Sequence, residues 1–235
     1  TQTAGLAFGG NPEPTSTEEY NGTAWTGGGN FPGRIRMGSA GLQTAAIGFG
    51  GDLDPERILI AYKMGIFPWF ENDNDLVWWS PDPRMVLFPK KLKISKSTKK
   101  ILNNNSFQIT FNKSFMEVVN ACAKVKRFGQ NGTWITKGLM SAYKKLHDKG
   151  HAYSVEVWEN FELVGGLYGI DLGNVFCGES MFTKTNNASK VAFIHLVKEL
   201  SKNGYKLIDC QVPSAHLKSL GAEEISRQEF IKYLS

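Results

Sequence analysis

The sequence predicts an α+β fold, and three observations carry that prediction. Residues 152–159, 162–170 and 175–182 are apolar, β-branched and aromatic runs separated by Glu159-Asn160 and Leu172-Gly173-Asn174, the pattern of an antiparallel meander. Residues 188–202 have helical periodicity and lead into a short strand at 206–211. Helices are expected ahead of the meander at 54–65, 114–126 and 137–149, so helices and strands fall in blocks rather than in regular alternation.

The first helix opens at Asp54-Pro55-Glu56, with a capping carboxylate, a proline at the first helical position and an acid in the first turn. Gly65 ends it, and Ile58, Leu59, Ala61 and Tyr62 form its apolar side. Ile66-Phe67-Pro68-Trp69-Phe70 follows, and Trp78-Trp79-Ser80-Pro81-Asp82-Pro83-Arg84 reads as a proline-punctuated aromatic loop. A strand is expected at 107–112. Ser114 and Glu117 stand in capping-box spacing at the head of the next helix, and Gly150 closes the one after it. Short helices near 214–220 and 227–234 complete the chain.

The 235 residues are 41% hydrophobic and 12% aromatic, enough to bury a sizeable core. No apolar run reaches the roughly twenty residues of a membrane span, and the first residues lack the basic start and apolar core of a signal peptide, so a cytoplasmic location is expected. Cys122, Cys177 and Cys210 are odd in number and far apart, which fits a reducing compartment rather than a disulfide or zinc framework. A formal charge of +5 favours an anionic partner without identifying one.

Composition breaks near Gly51. Residues 1–51 are rich in Gly, Thr and Asn and poor in Lys; the remainder is rich in Lys, Ile, Leu and Phe. Gln2-Thr3-Ala4-Gly5-Leu6-Ala7-Phe8-Gly9-Gly10 recurs as Gln43-Thr44-Ala45-Ala46-Ile47-Gly48-Phe49-Gly50-Gly51, about forty residues on, the spacing of a kelch-like β-propeller blade. One blade cannot bury its own faces, so residues 1–49 read as a Gly-rich extension or a junction.

Polar groups interrupt two apolar runs, at Cys177-Gly178-Glu179-Ser180-Met181-Phe182 and Leu207-Ile208-Asp209-Cys210-Gln211. A packed core has no use for them, which makes Glu179, Asp209 and Gln211 the candidate chemical groups. On an alternating strand Cys210 should face away from Asp209 and Gln211, which disfavours a cysteine-dependent hydrolase. His147, His151, His195 and His216 show no metal-ligand spacing. Lys90, Lys91, Lys93, Lys96, Lys99 and Lys100 put six cations within eleven residues, which suits phosphate contact or a solvated face.

In chain order, Gly50-Gly51-Asp52-Leu53, Ala61-Tyr62-Lys63-Met64-Gly65-Ile66-Phe67-Pro68-Trp69-Phe70, Trp78-Trp79-Ser80-Pro81-Asp82-Pro83-Arg84, Gly132-Thr133-Trp134-Ile135-Thr136, Val164-Gly165-Gly166-Leu167-Tyr168-Gly169, the Glu179 run, Ala188-Ser189-Lys190, the Gln211 run and Ser219-Leu220-Gly221-Ala222 resemble the leucyl/phenylalanyl-tRNA–protein transferases. The resemblance covers about residues 50 to 235. It implies a C-terminal domain like the Gcn5-related acetyltransferases at 106–235, preceded by a remnant of a small N-terminal domain with an aromatic linker at 50–105. It also implies transfer of Leu or Phe, less readily Met, from aminoacyl-tRNA to proteins beginning with Arg or Lys, which marks them for degradation through the N-degron pathway, with no cofactor. By the same resemblance Gln211 sits against the attacking amine, Asp209 polarises it and Glu179 holds the cationic acceptor. Leu167, Phe176, Met181, Phe193 and Leu196 should line the aminoacyl pocket, and Trp69, Trp134, Ser189 and Lys190 should meet the tRNA 3′ end. The lysine run is expected to contact its phosphates. The Gly-rich segment stands where the element opening the small domain should be.

A CoA-dependent N-acetyltransferase is the alternative reading, since His216-Leu217-Lys218-Ser219-Leu220-Gly221-Ala222 resembles the end of that fold too. Thr183-Lys184-Thr185-Asn186-Asn187 lacks the glycines that would bring backbone amides to a pyrophosphate. A repeat-bearing binding protein, or an inactive chimera, is the further alternative.

Overall fold

The computed structural model describes residues 51–104, 106–125 and 133–234, together with the backbone of five strands within the first fifty. The intervening repeat residues, Lys126 at the end of the expected helix, and Gly132 lie outside the described residues.

The strands of the first fifty residues are β1 (Gly5–Phe8), β2 (Thr17–Tyr20), β3 (Trp25–Gly27), β4 (Gly38–Leu42) and β5 (Ala45–Phe49). There follow α1 (Pro55–Lys63), β6 (Phe67–Pro68), β7 (Val77–Pro81), β8 (Arg84–Leu87), α2 (Lys96–Asn103), β9 (Gln108–Phe111), α3 (Phe115–Ala123) and α4 (Lys137–Asp148). The chain continues through β10 (Ala152–Glu159), β11 (Glu162–Asp171), β12 (Val175–Thr183), α5 (Ala188–Lys202), β13 (Leu207–Gln211), α6 (Ala215–Ser219), β14 (Glu223–Ile225) and α7 (Arg227–Ile231). Among the described residues the strands form three sheets, ordered β1-β2-β3, β4-β5-β7-β6 and β14-β8-β13-β12-β11-β10-β9.

The seven-stranded sheet organises the site. Strands β9 to β12 form the expected antiparallel meander, and α5 is the crossover that brings β13 back parallel to β12. Two apolar clusters fill its faces: Val155, Leu167, Phe176 and Ile208 pack with α5 on one side, while Tyr62, Val118, Tyr143 and Tyr168 gather with α1, α3 and α4 on the other.

Several local expectations need correction. The aromatic loop at 78–84 is the end of β7 and the start of β8, and β8 inserts between β14 and β13, so residues grouped with the small domain belong to the larger sheet. The lysine run carries α2, capped by Ser95 Oγ accepting from the Thr98 amide at 3.2 Å; with its lysines on the outer side, charge hid the helical period. Ser114 precedes α3 but makes no side-chain cap. The amides of Lys113 and Ser114 donate instead to the buried Glu156 carboxylate, each at 3.4 Å, so a tertiary partner displaced the local one. Asp54 does cap α1, accepting from the Glu56 amide at 2.9 Å.

The Gly-rich segment takes part in this architecture through its backbone. Strand β5, from the second repeat copy, pairs antiparallel with β7 over Ala45↔Pro81 to Phe49↔Val77, while β6 covers the other edge of β7. Trp78, in β7, is fully buried, and Trp79 Nε1 donates to the Trp69 carbonyl at 2.8 Å. Support for Trp69 therefore runs back to β5.

Removing residues 1–37 should leave that pairing in place, whereas removing 1–50 strips the edge of β7. We expect the shorter chain to melt lower by roughly 5 °C or more, and the longer to melt like the parent, in differential scanning calorimetry.

Candidate active site

Strands β12 and β13 pair only at Val175↔Leu207, Phe176↔Ile208 and Cys177↔Asp209, after which they part. Each carries a bulge at the parting. In β12, Glu179 is the extra residue between Gly178, opposite Gly169, and Ser180, opposite Tyr168. In β13, Cys210 is the extra residue between Asp209, opposite Val86, and Gln211, opposite Met85. Gln211 takes φ 64°, a left-handed conformation that costs a residue with a side chain on the order of 1 kcal/mol.

Across the gap Gln211 Nε2 donates to Glu179 Oε1 at 2.9 Å, and Tyr143 Oη donates to Glu179 Oε2 at 2.6 Å. Tyr62 Oη lies 3.3 Å from Tyr143 Oη, so a chain of hydroxyls runs from α1 through α4 to β12. With its amide nitrogen turned to Glu179, Gln211 has its carbonyl oxygen left for whatever enters the cavity. Burial pushes the Glu179 carboxyl up to about 7; hydrogen bonds from Tyr143, Tyr62 and Gln211 pull against it, and the Asp209 charge adds to it. Burial first, then Glu179, hold both tyrosines well above their ordinary range and therefore protonated.

Asp209 is fully buried and committed to its neighbours. Arg84 grips it with two bonds, Nε to Oδ1 at 2.8 Å and Nη2 to Oδ2 at 2.6 Å, and the Gln211 amide donates to Oδ1 at 2.9 Å. Arg84 also donates through Nη1 to the carbonyl of Gly65 at 3.0 Å and lies between the rings of Phe67 and Phe230, 4.8 and 4.6 Å from their centroids. Gly65 takes φ 75° to end α1 and present that carbonyl. Burial lowers the guanidinium's affinity for its proton, but the Asp209 charge and bonds outweigh it, so Arg84 stays charged.

A cavity of about 490 Å³ opens between the parted strands. Of the residues named from the sequence, Leu167, Met181, Phe193, Leu196, Trp69, Trp134, Glu179, Asp209 and Gln211 line it. Phe176 does not; it is packed in the core on the α5 side. Ser189 and Lys190 are half-buried at the start of α5 outside the lining, and the six lysines are exposed on and before α2. A second cavity of about 100 Å³, walled by Phe67, Pro68, Trp69, Trp134 and Val212, reaches the same Glu179–Gln211 pair.

Cys210 packs toward the α5-side cluster, yet it borders the cavity together with Asp209 and Gln211. The bulge overrides the strict alternation that the sequence suggested. Burial, then the Asp209 charge, raise its thiol, so it is no ready nucleophile. Among the described residues no group of three His, Cys, Asp or Glu could hold a metal ion.

Sequence reading missed Arg84, Tyr62, Tyr143 and His216. His216 lines the cavity, its imidazole lowered by burial and then by Lys190. Tyr62 could have been suspected as a hydroxyl on an otherwise apolar helix face. Arg84 closed a proline-rich block and gave no sign of its partner 125 positions away.

The family model described as leucyl/phenylalanyl-tRNA protein transferase matches residues 86–235, and that of the same family's N-terminal domain matches residues 51–82. A leucyl/phenylalanyl-tRNA–protein transferase of Flavobacterium johnsoniae is 58% identical over 192 residues, 82% of this chain and 91% of that protein. Another, of Christiangramia forsetii, is 58% identical over 185 residues, 78% of this chain and 87% of that protein. Among solved structures, L-PGS from Bacillus licheniformis superposes with a TM-score of 0.41 at 13% identity, covering 79% of this chain and 71% of that one.

The raised Glu179 carboxyl fixes a sign for stability. Between the ordinary value near 4.5 and about 7 the unfolded chain ionises while the folded one keeps its proton, so stability falls as pH rises through that window. Glu179→Gln removes a cost of up to about 3 kcal/mol. The variant should melt above the parent at about pH 8 and together with it at about pH 4, in calorimetry across that range.

Proposed function

The chain belongs to the leucyl/phenylalanyl-tRNA–protein transferase family, and from that premise we propose that it moves a leucyl or phenylalanyl group, less readily methionyl, from aminoacyl-tRNA to proteins beginning with Arg or Lys. The product carries a new N-terminal residue that marks it for N-degron degradation. The observation that carries this reading is the cavity between β12 and β13, lined by apolar side chains, by Glu179 and Gln211 and by two tryptophans.

In this reading the aminoacyl side chain enters among Leu167, Met181, Phe193 and Leu196. Such a pocket selects by shape, and one methylene changes binding by roughly 1–3 kcal/mol, which lets Leu, Phe and Met share it. Trp69 and Trp134 offer flat faces to the terminal adenine, and the exposed lysines of α2 and the turn before it face phosphates. The acceptor approaches from the smaller cavity, its cationic side chain beside Glu179, whose ionised form that cation favours.

Chemically, a neutral α-amine attacks the ester carbonyl carbon. A C–N bond forms, the bond from the carbonyl carbon to the ribose oxygen breaks, and the amine's proton leaves through water or the neighbouring ribose hydroxyl to the departing oxygen. The ester is already activated, so orientation is the main contribution required of the protein. The Gln211 carbonyl oxygen accepts from the amine and aims its lone pair; a neutral amide is too weak a base to take the proton itself.

Transfer of radiolabelled Leu or Phe from charged tRNA to a peptide beginning with Arg tests the proposal, and no transfer beside an active control enzyme would overturn it. Gln211→Ala should lower kcat by about 100-fold with tRNA binding nearly intact. Replacing Lys96, Lys99 and Lys100 by Ala should weaken tRNA binding and flatten its log–log salt dependence by about one unit for each phosphate no longer neutralised.

A further inference from the structure

We propose that Arg84 is a positioning residue for this reaction: its two-pronged hold on Asp209 fixes Gln211 in the left-handed backbone conformation that presents the Gln211 amide to the substrate amine. The inference rests on the transfer reading above. It makes Asp209 act through the backbone of Gln211 rather than by polarising the amine.

Three observations lead there. Asp209 is 0% exposed and three bonds hold its carboxylate, Oδ1 by Arg84 Nε and the Gln211 amide and Oδ2 by Arg84 Nη2, which commits it to Arg84 and to the Gln211 turn. Gln211 stands at φ 64°, a conformation that persists only where surroundings over-determine it, and the bond from its own amide to Asp209 Oδ1 is the contact that does so. Arg84 is 1% exposed and is itself fixed on every side, by the Gly65 carbonyl and by the rings of Phe67 and Phe230. The small domain's helix end and the C-terminal helix α7 thus set the angle of the catalytic amide through one guanidinium.

The two roles for Asp209 separate in a charge-neutral double variant of the full chain. Asp209→Asn keeps an oxygen for the Gln211 amide but leaves Arg84 buried with no counter-charge, and Arg84→Met leaves Asp209 so. Each alone should lose about 100-fold in kcat for transfer from Phe-tRNA to an Arg-starting peptide, because the amide is misplaced. Together they should recover at least about tenfold over either single variant, since neither charge remains unpaired and Asn at 209 still offers an oxygen to the Gln211 amide, the remaining shortfall being the lost two-pronged grip. The acid limb of the pH–rate profile should keep the parent's midpoint, because it follows deprotonation of the attacking α-amine, which neither substitution touches.

A double variant that folds like the parent yet transfers no faster than the single ones would overturn the inference and leave the transfer reading standing. An inactive parent would overturn both. Should the double variant not fold, Arg84→Lys decides: it keeps the charge beside Asp209 but not the paired grip. A kcat at least about tenfold lower with unchanged KM for Phe-tRNA supports positioning, and an unchanged kcat overturns it.

Discussion

One buried ion pair holds this molecule's working parts in register. Arg84 and Asp209 meet out of water, where breaking such a pair by removing one partner costs about 3–5 kcal/mol. Around it converge the end of α1 at Gly65, the β6 ring of Phe67, the α7 ring of Phe230 and the bulged end of β13. A hydrophobic pair of similar volume could serve stability as well. It could not accept the Gln211 amide at 2.9 Å, and so could not dictate which way that strand turns as it leaves the sheet.

The second constraint is the parting of two parallel strands. Had β12 and β13 stayed paired past Cys177 and Asp209, backbone bonds would have filled the space now open as a cavity. The bulges at Glu179 and Cys210 change the phase of each strand by one residue. That shift lets Glu179 and Gln211 face each other, and it lets a carboxyl held near neutrality by burial sit between two tyrosines and an amide. Fold and site chemistry here share one origin, the failure of a regular ladder at a chosen point.

Much of this was legible in the sequence, for physical reasons. The meander announced itself through β-branched runs between Asn and Gly turns, and Glu179, Asp209 and Gln211 stood out as polar groups in apolar strands. What escaped were features that need a partner to acquire meaning. Ser114 and Glu117 carry a capping pattern that Glu156 overrides from a neighbouring strand. Arg84 looks like loop punctuation until Asp209 is placed against it. Cys210 obeys alternation only until the bulge. Strand β8 hid behind prolines, and α2 behind its own lysines.

The pairing of β5 with β7 has a consequence for how such a chain can change through time. What β7 asks of its neighbour is a row of amides and carbonyls in extended register, a request addressed to the main chain that many sequences can answer. Residues 45–49 of the Gly-rich stretch answer it here. The change of composition near Gly51 is therefore not an edge of the sheet: sequence on one side of it can vary, so long as it stays extended, while the strands that aim Trp69 keep their neighbour's backbone.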